Sequence, residues 1–253
     1  MRSLILCEGF DDVLILGYYL HKTQGWNFNP KARYSKMYNF PKQNVRRQVV
    51  EIYEKDDDLL GIWAVGGKDS FGTAYKFLYD INTKYPEEGI EKVFVMTDRD
   101  QDEVDACLKK MQEELRRYSL NVSDLQNNQE NDYSFEVEDE MFCMKIIPVI
   151  VPFDKSGALE TVLMDGISES GVEEQYIVEC ANQYVDGLVA SNKLHSYLQH
   201  ARQELKARFS AVISITNPDR STALFDQVLM SWNWKEKDAV HRHFETIIQL
   251  LSA

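Results

Sequence analysis

The sequence is poor in cysteine, proline and glycine, with four, six and twelve residues of each in a chain of 253. Cys7, Cys107, Cys143 and Cys180 stand far apart, with no C-x-x-C pair and no histidine at a zinc-ligand spacing. That excludes a disulfide framework and a structural zinc knuckle. Scarce glycine and proline, without any low-complexity tract, exclude a collagen-like or disordered chain. No apolar run approaches the roughly 18 residues of a membrane span, and Met1-Arg2-Ser3 leads straight into a run of strand length. The expectation is a soluble, unprocessed, cytoplasmic protein with no membrane contact. Positive charge is also short: 28 Lys and Arg against 41 Asp and Glu give a net charge of −13. Broad, purely electrostatic binding of nucleic acid is thereby disfavoured, so a phosphate-bearing partner has to be met by a local basic patch or by a divalent metal.

What is present is a recurring order of apolar strand, turn and helix. Leu4-Ile-Leu-Cys7 is followed by Glu8-Gly9 and the apolar Val13-Leu-Ile-Leu16. Leu60 to Val65 meets Gly66-Gly67 and then the helical spacing of Phe71 to Tyr79. Lys92 to Met96 is a bare apolar strand, after which Val104, Leu108, Met111 and Leu115 recur at the helical period. Met144 to Val151 is the fourth strand, its internal Pro148 pointing to an edge position or a bulge. Strands of this kind alternating with helices predict an α/β fold, a Rossmannoid parallel sheet with helices on both faces. The sheet region spans residues 1–166, and a helical C-terminal part spans 167–253, with helices over 173–186, 188–209, 222–232 and 237–252.

Ligands of such sheets bind at the carboxyl ends of the strands. Here those ends carry Glu8, Gly66-Gly67, the run Asp98-Arg-Asp100-Gln-Asp102 and, one helix turn past the fourth strand, Glu160. Acids crowded at one rim repel one another unless a cation sits among them, and oxygen donors select a hard ion, Mg²⁺ or Mn²⁺. Three other readings of the 98–102 run compete with a metal site. An EF-hand loop fails because Glu103 and Lys109 stand where Gly and Glu are required, and Asp102 weakens an aspartyl-phosphate phosphatase pattern. Capping of the following helix by Asp100 or Asp102 stays open. Gly61 to Lys68 is no phosphate-binding P-loop, since Gly67 occupies the lysine position and Asp69 replaces Ser or Thr. Lys68 is instead a candidate phosphate contact. The five histidines lie in predicted helices away from the acids and read as structural.

Glu8-Gly9-Phe-Asp-Asp12 after the first strand, paired with Asp98-Arg-Asp100 after a strand about ninety residues later, resembles the Toprim family. That family includes the catalytic domains of topoisomerases, primases, ribosomal-RNA maturases and the OLD nucleases. The likeness covers residues 3 to about 166 and is nearest the stand-alone and OLD-type nuclease members, to which Gly66-Gly67-Lys68 and Gly157-Ala-Leu-Glu160 also answer. The resemblance implies a Mg-dependent nuclease acting on DNA or RNA, in phage defence or nucleic-acid maintenance. In it Asp98 and Asp100 bind the metal, Glu8 is general acid/base or a further ligand, and Asp12 supports the turn or a second metal. Asp102 and Glu160 are candidates to complete a two-metal site, against the plainer roles of helix cap and first-turn dipole partner.

Charge is unevenly distributed. Residues 31–50 hold six bases (Lys31, Arg33, Lys36, Lys42, Arg46, Arg47) and no acid, interleaved with Tyr34, Tyr38 and Phe40, whereas 121–140 hold seven acids and no base. The basic stretch is a candidate surface for a nucleic-acid backbone, its aromatics able to stack on unpaired bases. A contact between the two stretches, within the chain or across a homodimer, is the alternative. The acidic stretch is expected as an exposed loop or hairpin before the fourth strand. The rival functional reading is a non-catalytic or partner-dependent Toprim module working with an ATPase.

Overall fold

The computed structural model describes residues 1–31, 40, 48–218 and 225–252. The basic residues Arg33, Lys36, Lys42, Arg46 and Arg47 therefore lie outside the described residues, and Lys31 is an exposed turn residue whose backbone N–H donates to Asn29. The chain divides into two compact units, one of residues 1–150 with 246–253 and the other of residues 151–245.

The first unit is built on a seven-stranded sheet. Its strands are β1 (Arg2–Cys7), β2 (Asn27–Phe28), β3 (Val49–Lys55), β4 (Asp58–Ala64), β5 (Lys92–Asp98), β6 (Asn131–Val137) and β7 (Glu140–Val151), in the order β2-β3-β4-β1-β5-β7-β6. β1 lies at the centre and runs parallel to both β4 and β5, the arrangement expected of strands with bare apolar sequences. The margins depart from the all-parallel expectation. β3 runs antiparallel to β4, and β6 antiparallel to β7, because each pair is joined by a turn too short for a crossover.

Period-two alternation assigns the faces. Leu4 and Leu6 of β1, Trp63 of β4, and Val93 and Val95 of β5 form one buried cluster with helices α2 (Phe71–Lys84) and α3 (Val104–Arg117). The α3 stripe Cys107, Leu108, Met111 and Leu115 is buried there as its spacing predicts. Ile5 and Cys7 point to the opposite face, where α1 (Phe10–Gln24) packs so closely that a Cβ on Gly17 would stand 2.0 Å from the Tyr53 hydroxyl. Fully burying one aliphatic or Phe side chain in such layers contributes about 1.5–3 kcal/mol.

Pro148 does not mark an edge strand, since β7 lies between β5 and β6. The pairing with β6 ends at Ile146, so Pro148 falls where that side of β7 has no β6 partner to receive an N–H. Residues 131–140 of the acidic stretch form β6 and the tight turn into β7, a hairpin as expected, while 121–130 lead into it outside any strand or helix.

The second unit is helical, with α4 (Leu159–Ser168), α5 (Val172–Ala190), α6 (Ala201–Thr216), α7 (Phe225–Ser231) and most of α8 (Asp238–Leu251). Arg208 of α6 donates to Asp186 and Asn182 of α5, at 2.8 and 3.3 Å, and Arg242 binds Glu169 at 2.6 Å. No helix among the described residues is long and apolar enough to cross a membrane.

Candidate active site at the strand ends

Glu8 emerges from the carboxyl end of the central strand, and its side chain is only 4% exposed. A carboxylate so placed needs donors. Its Oε1 accepts a hydrogen bond from Thr97 Oγ1 at 2.8 Å and another from the Asp98 backbone N–H at 3.1 Å. Both donors sit at the end of β5, so two parallel neighbours fix one carboxylate at their shared edge. The Glu8 carbonyl is held as well, accepting from the N–H groups of Gly66 and Gly67 at 3.1 and 2.8 Å. Those glycines have φ of +94° and +117°, a backbone conformation that L side chains rarely adopt. The double glycine is thus explained by a turn that folds the end of β4 over the end of β1.

That turn delivers Lys68. Its Nζ donates to the Asp98 carbonyl at 2.8 Å and to Asp100 Oδ2, and stands 3.9 Å from Glu8 Oε1. Burial opposes the Lys68 ammonium, but the Asp100 hydrogen bond and the charges of Glu8, Asp100 and Asp98 outweigh it and hold its pKa above the ordinary lysine value. Asp100 reaches Lys68 from a left-handed backbone, φ +55°, which Asp tolerates better than most residues. Beneath the rim, burial pushes the Cys7 thiol well up, aided by the charges of Asp12, Glu8 and Asp98, so it stays protonated.

The remaining sequence candidates take separate places. Asp12 Oδ2 accepts the Gly9 N–H at 2.8 Å, supporting the turn into α1. Asp102 is bound by Lys110 Nζ at 2.6 Å, and that partner holds its carboxyl below the usual range. Glu160 lies in the second unit, on the first turn of α4, with Lys206 Nζ 3.5 Å away. Among the described residues, no group of three or more His, Cys, Asp or Glu side chains stands close enough together to hold a metal ion. The structure thus joins Glu8, Asp98 and Asp100 through Lys68 and the β5 end rather than as a ready cage. Thr97 was missed by sequence reasoning, because a lone threonine before an acidic run carries no signal of its own.

Beside the rim opens a cavity of about 380 Å³, to whose lining Lys68, Thr97 and Asp98 also belong. Phe71, Tyr75, Val95 and Met111, from β5, α2 and α3, line it as well. Glu114 lines it too, and burial lifts this carboxyl above the ordinary range against the pull of Arg117.

Residues 2–252 match the model of a family described as protein of unknown function (DUF3226). No curated protein matches the chain. Among solved structures it is similar to the hypothetical protein PH0156 from Pyrococcus horikoshii OT3, at 17% identity over 98% of this chain and 100% of that one, with a TM-score of 0.46.

Proposed function

The chain belongs to the DUF3226 family, and we propose that it is a Toprim-like, cytoplasmic, Mg²⁺- or Mn²⁺-dependent nuclease that hydrolyses phosphodiester bonds in DNA or RNA. The observation that carries this reading is a buried Glu8 at the end of the central strand, hydrogen-bonded to the end of β5, with Lys68 reaching Asp98 and Asp100 beside it. Carboxylates held rigidly at a parallel-sheet edge suit a hydrolytic site, because the donors are in place before the reaction begins.

The donor chemistry fits a hard divalent ion, since Glu8, Asp98 and Asp100 offer only oxygen. When bound, such an ion would polarise a phosphoryl oxygen and steady the leaving alkoxide. The chain's own residues do the rest. Glu8 is oriented by Thr97 and the Asp98 N–H and is the group to accept a proton from attacking water. Lys68 is the ammonium to meet a non-bridging phosphate oxygen. It also neutralises the rim when no ion is there, so cation and lysine compete for the same acids. Asp12 keeps the turn that aims Glu8.

The test is a gel assay of the purified chain with supercoiled plasmid, linear duplex, single-stranded DNA and transfer RNA, in Mg²⁺, Mn²⁺ and EDTA. Metal-dependent cutting that disappears in Glu8→Ala is the expected result; cutting unchanged by that substitution overturns the reading. A second reading is favoured by Lys68, whose ammonium already pairs with Asp100 at the rim. It is a partner-dependent module completed by an ATPase, and it predicts no cutting by the isolated chain and activity only with the partner added.

A further inference from the structure

Most of the large apolar side chains left exposed lie in the second unit, although it holds well under half of the chain. Its helix α5 carries three of them in one line, with Val172 85% exposed, Tyr176 67% and Tyr184 64%. The half-buried Cys180 and Leu188 continue the same row, each four residues from its neighbour. Residues at i, i+4 and i+8 form a continuous ridge on a helix, the feature that packs into the groove of another helix. α5 meets its own unit with a different face, on which Ala181 and Val185 are buried. An apolar ridge on the outward side of a helix that already has a buried face marks a contact surface.

The order of the residues says what covers it. The row is symmetric about Cys180, with a tyrosine four residues to either side and Val172 and Leu188 eight residues to either side. An isologous interface needs a patch complementary to itself, whereas a foreign partner demands no such symmetry. An antiparallel two-fold at Cys180 sets Tyr176 of one copy on Tyr184 of the other, and Val172 on Leu188. The charges permit this fit: Glu173 and Glu179 then face Gly187 and Ala181 of the copy, and Asp186, opposite Glu174, is held by Arg208 at 2.8 Å. A buried aromatic covers roughly 150–250 Å², so the two tyrosines bring roughly 200–330 Å² to each side of the contact. Stable complexes bury about 800 Å² per partner, so the ridge supplies an aromatic centre and its polar flanks supply the rest.

We infer that the chain pairs with a second copy of itself through α5, antiparallel about a two-fold axis at Cys180, with Tyr176 of each copy packed on Tyr184 of the other. The pairing uses the second unit alone, so it stands or falls independently of the nuclease reading. It is also distinct from a contact between the basic and acidic stretches, both of which lie outside residues 151–245. Its geometry has a chemical signature. The axis brings the two Cys180 thiols together, and a disulfide between them requires Cα atoms within about 7 Å.

The experiment is analytical ultracentrifugation of the full chain over a range of concentrations, at moderate and high salt, with diamide cross-linking alongside. A concentration-dependent dimer is expected, and it should tighten in high salt, because the ridge is apolar and its charged flanks are acidic in both copies. Tyr176→Asp should weaken it by at least about tenfold, whereas Met141→Asp, at an equally exposed apolar position on the hairpin, should leave it unchanged. Diamide takes up the two electrons and two protons that a pair of thiols loses on forming a disulfide. Cys7 and Cys107 are buried and Cys143 is exposed, so a linked dimer should form in Cys143→Ser and not in Cys180→Ser. A chain that stays monomeric at every concentration overturns the inference. So does a dimer that loosens with salt, ignores Tyr176→Asp or links through Cys143 alone. Should Tyr176→Asp fail to fold, the Cys180 cross-link in Cys143→Ser decides.

Discussion

Two regions of the first unit are rich in acid, and they are built in opposite ways. The rim at the ends of β1 and β5 holds Glu8, Asp98 and Asp100, with Glu8 buried, bonded by Thr97 and by a backbone N–H, and approached by Lys68 from the β4 turn. The β6–β7 hairpin holds more acids, but Asp132, Glu136, Glu138, Asp139 and Glu140 are exposed on a two-stranded ribbon. There Lys145 pairs with Asp132, and both side chains are at least one-third exposed. Local acid density does not make a site. What separates the rim from the hairpin is that distant parts of the chain converge on one buried carboxylate and fix it.

The largest expected effect is on catalysis. If the proposed roles hold, Glu8→Ala lowers the cutting rate by about 10²-fold or more, the usual scale for a lost general base, whereas Glu136→Ala on the hairpin leaves it unchanged. Equal losses in the two variants would erase the distinction between the regions. The next effect concerns Lys68. Lys68→Met removes a positive charge that Glu8, Asp98 and Asp100 share, so the variant should melt lower in EDTA and recover more than the unaltered chain when Mg²⁺ is added. The same substitution at Lys145 should show no such metal-dependent recovery. The pH dependence has a definite sign. The folded pKa of Lys68 lies above its ordinary 10.5, so its stabilising contribution is complete below that value and is lost as pH rises through the folded pKa. The stability gap between the unaltered chain and Lys68→Met, followed by denaturant titration, should stay level from neutral pH to about 10 and narrow above it.

Much of this contrast was legible in the sequence. Each central strand is a short run of consecutive apolar residues, and both acid motifs follow directly on such runs, so β1, β5 and the identities of Glu8, Asp98 and Asp100 could be read without coordinates. β3 could not, because Val49–Lys55 is mostly half-buried and is interrupted by Glu51 and Glu54, three apart, beside the basic stretch. The helix expected over 188–209 is broken between Ala190 and Ala201, a break that carries no glycine or proline and uses left-handed Asn192 and Leu198 instead. The sequence marks Lys68 only as a candidate phosphate contact. Its place among the acids depends on how the ends of β1, β4 and β5 align, which is a property of register rather than of any local pattern.

The Gly66-Gly67 turn allows a sharper test of the same comparison. A Cβ at Gly67 would meet nothing within 4 Å, so the φ of +117° rather than space is what calls for glycine there. Gly67→Ala should cost about 1–3 kcal/mol of stability in denaturant titration. Because the Gly67 N–H holds the Glu8 carbonyl and the turn delivers Lys68, cutting should fall by more than the loss of folded protein explains.

The smallest effect belongs to the hairpin. Lys145 holds the Asp132 carboxyl below the usual range, so the pair favours the fold above the ordinary carboxylate pKa and loses that contribution as pH falls through the folded value. Asp132 is exposed, however, and water and salt screen the pair on an open ribbon. Asp132→Asn should therefore leave the melting temperature within experimental error at neutral pH and moderate salt, and should leave cutting untouched. A clear drop in either would mean that the hairpin acids are held by something beyond Lys145, and that this ribbon, like the rim, is a place where other groups converge.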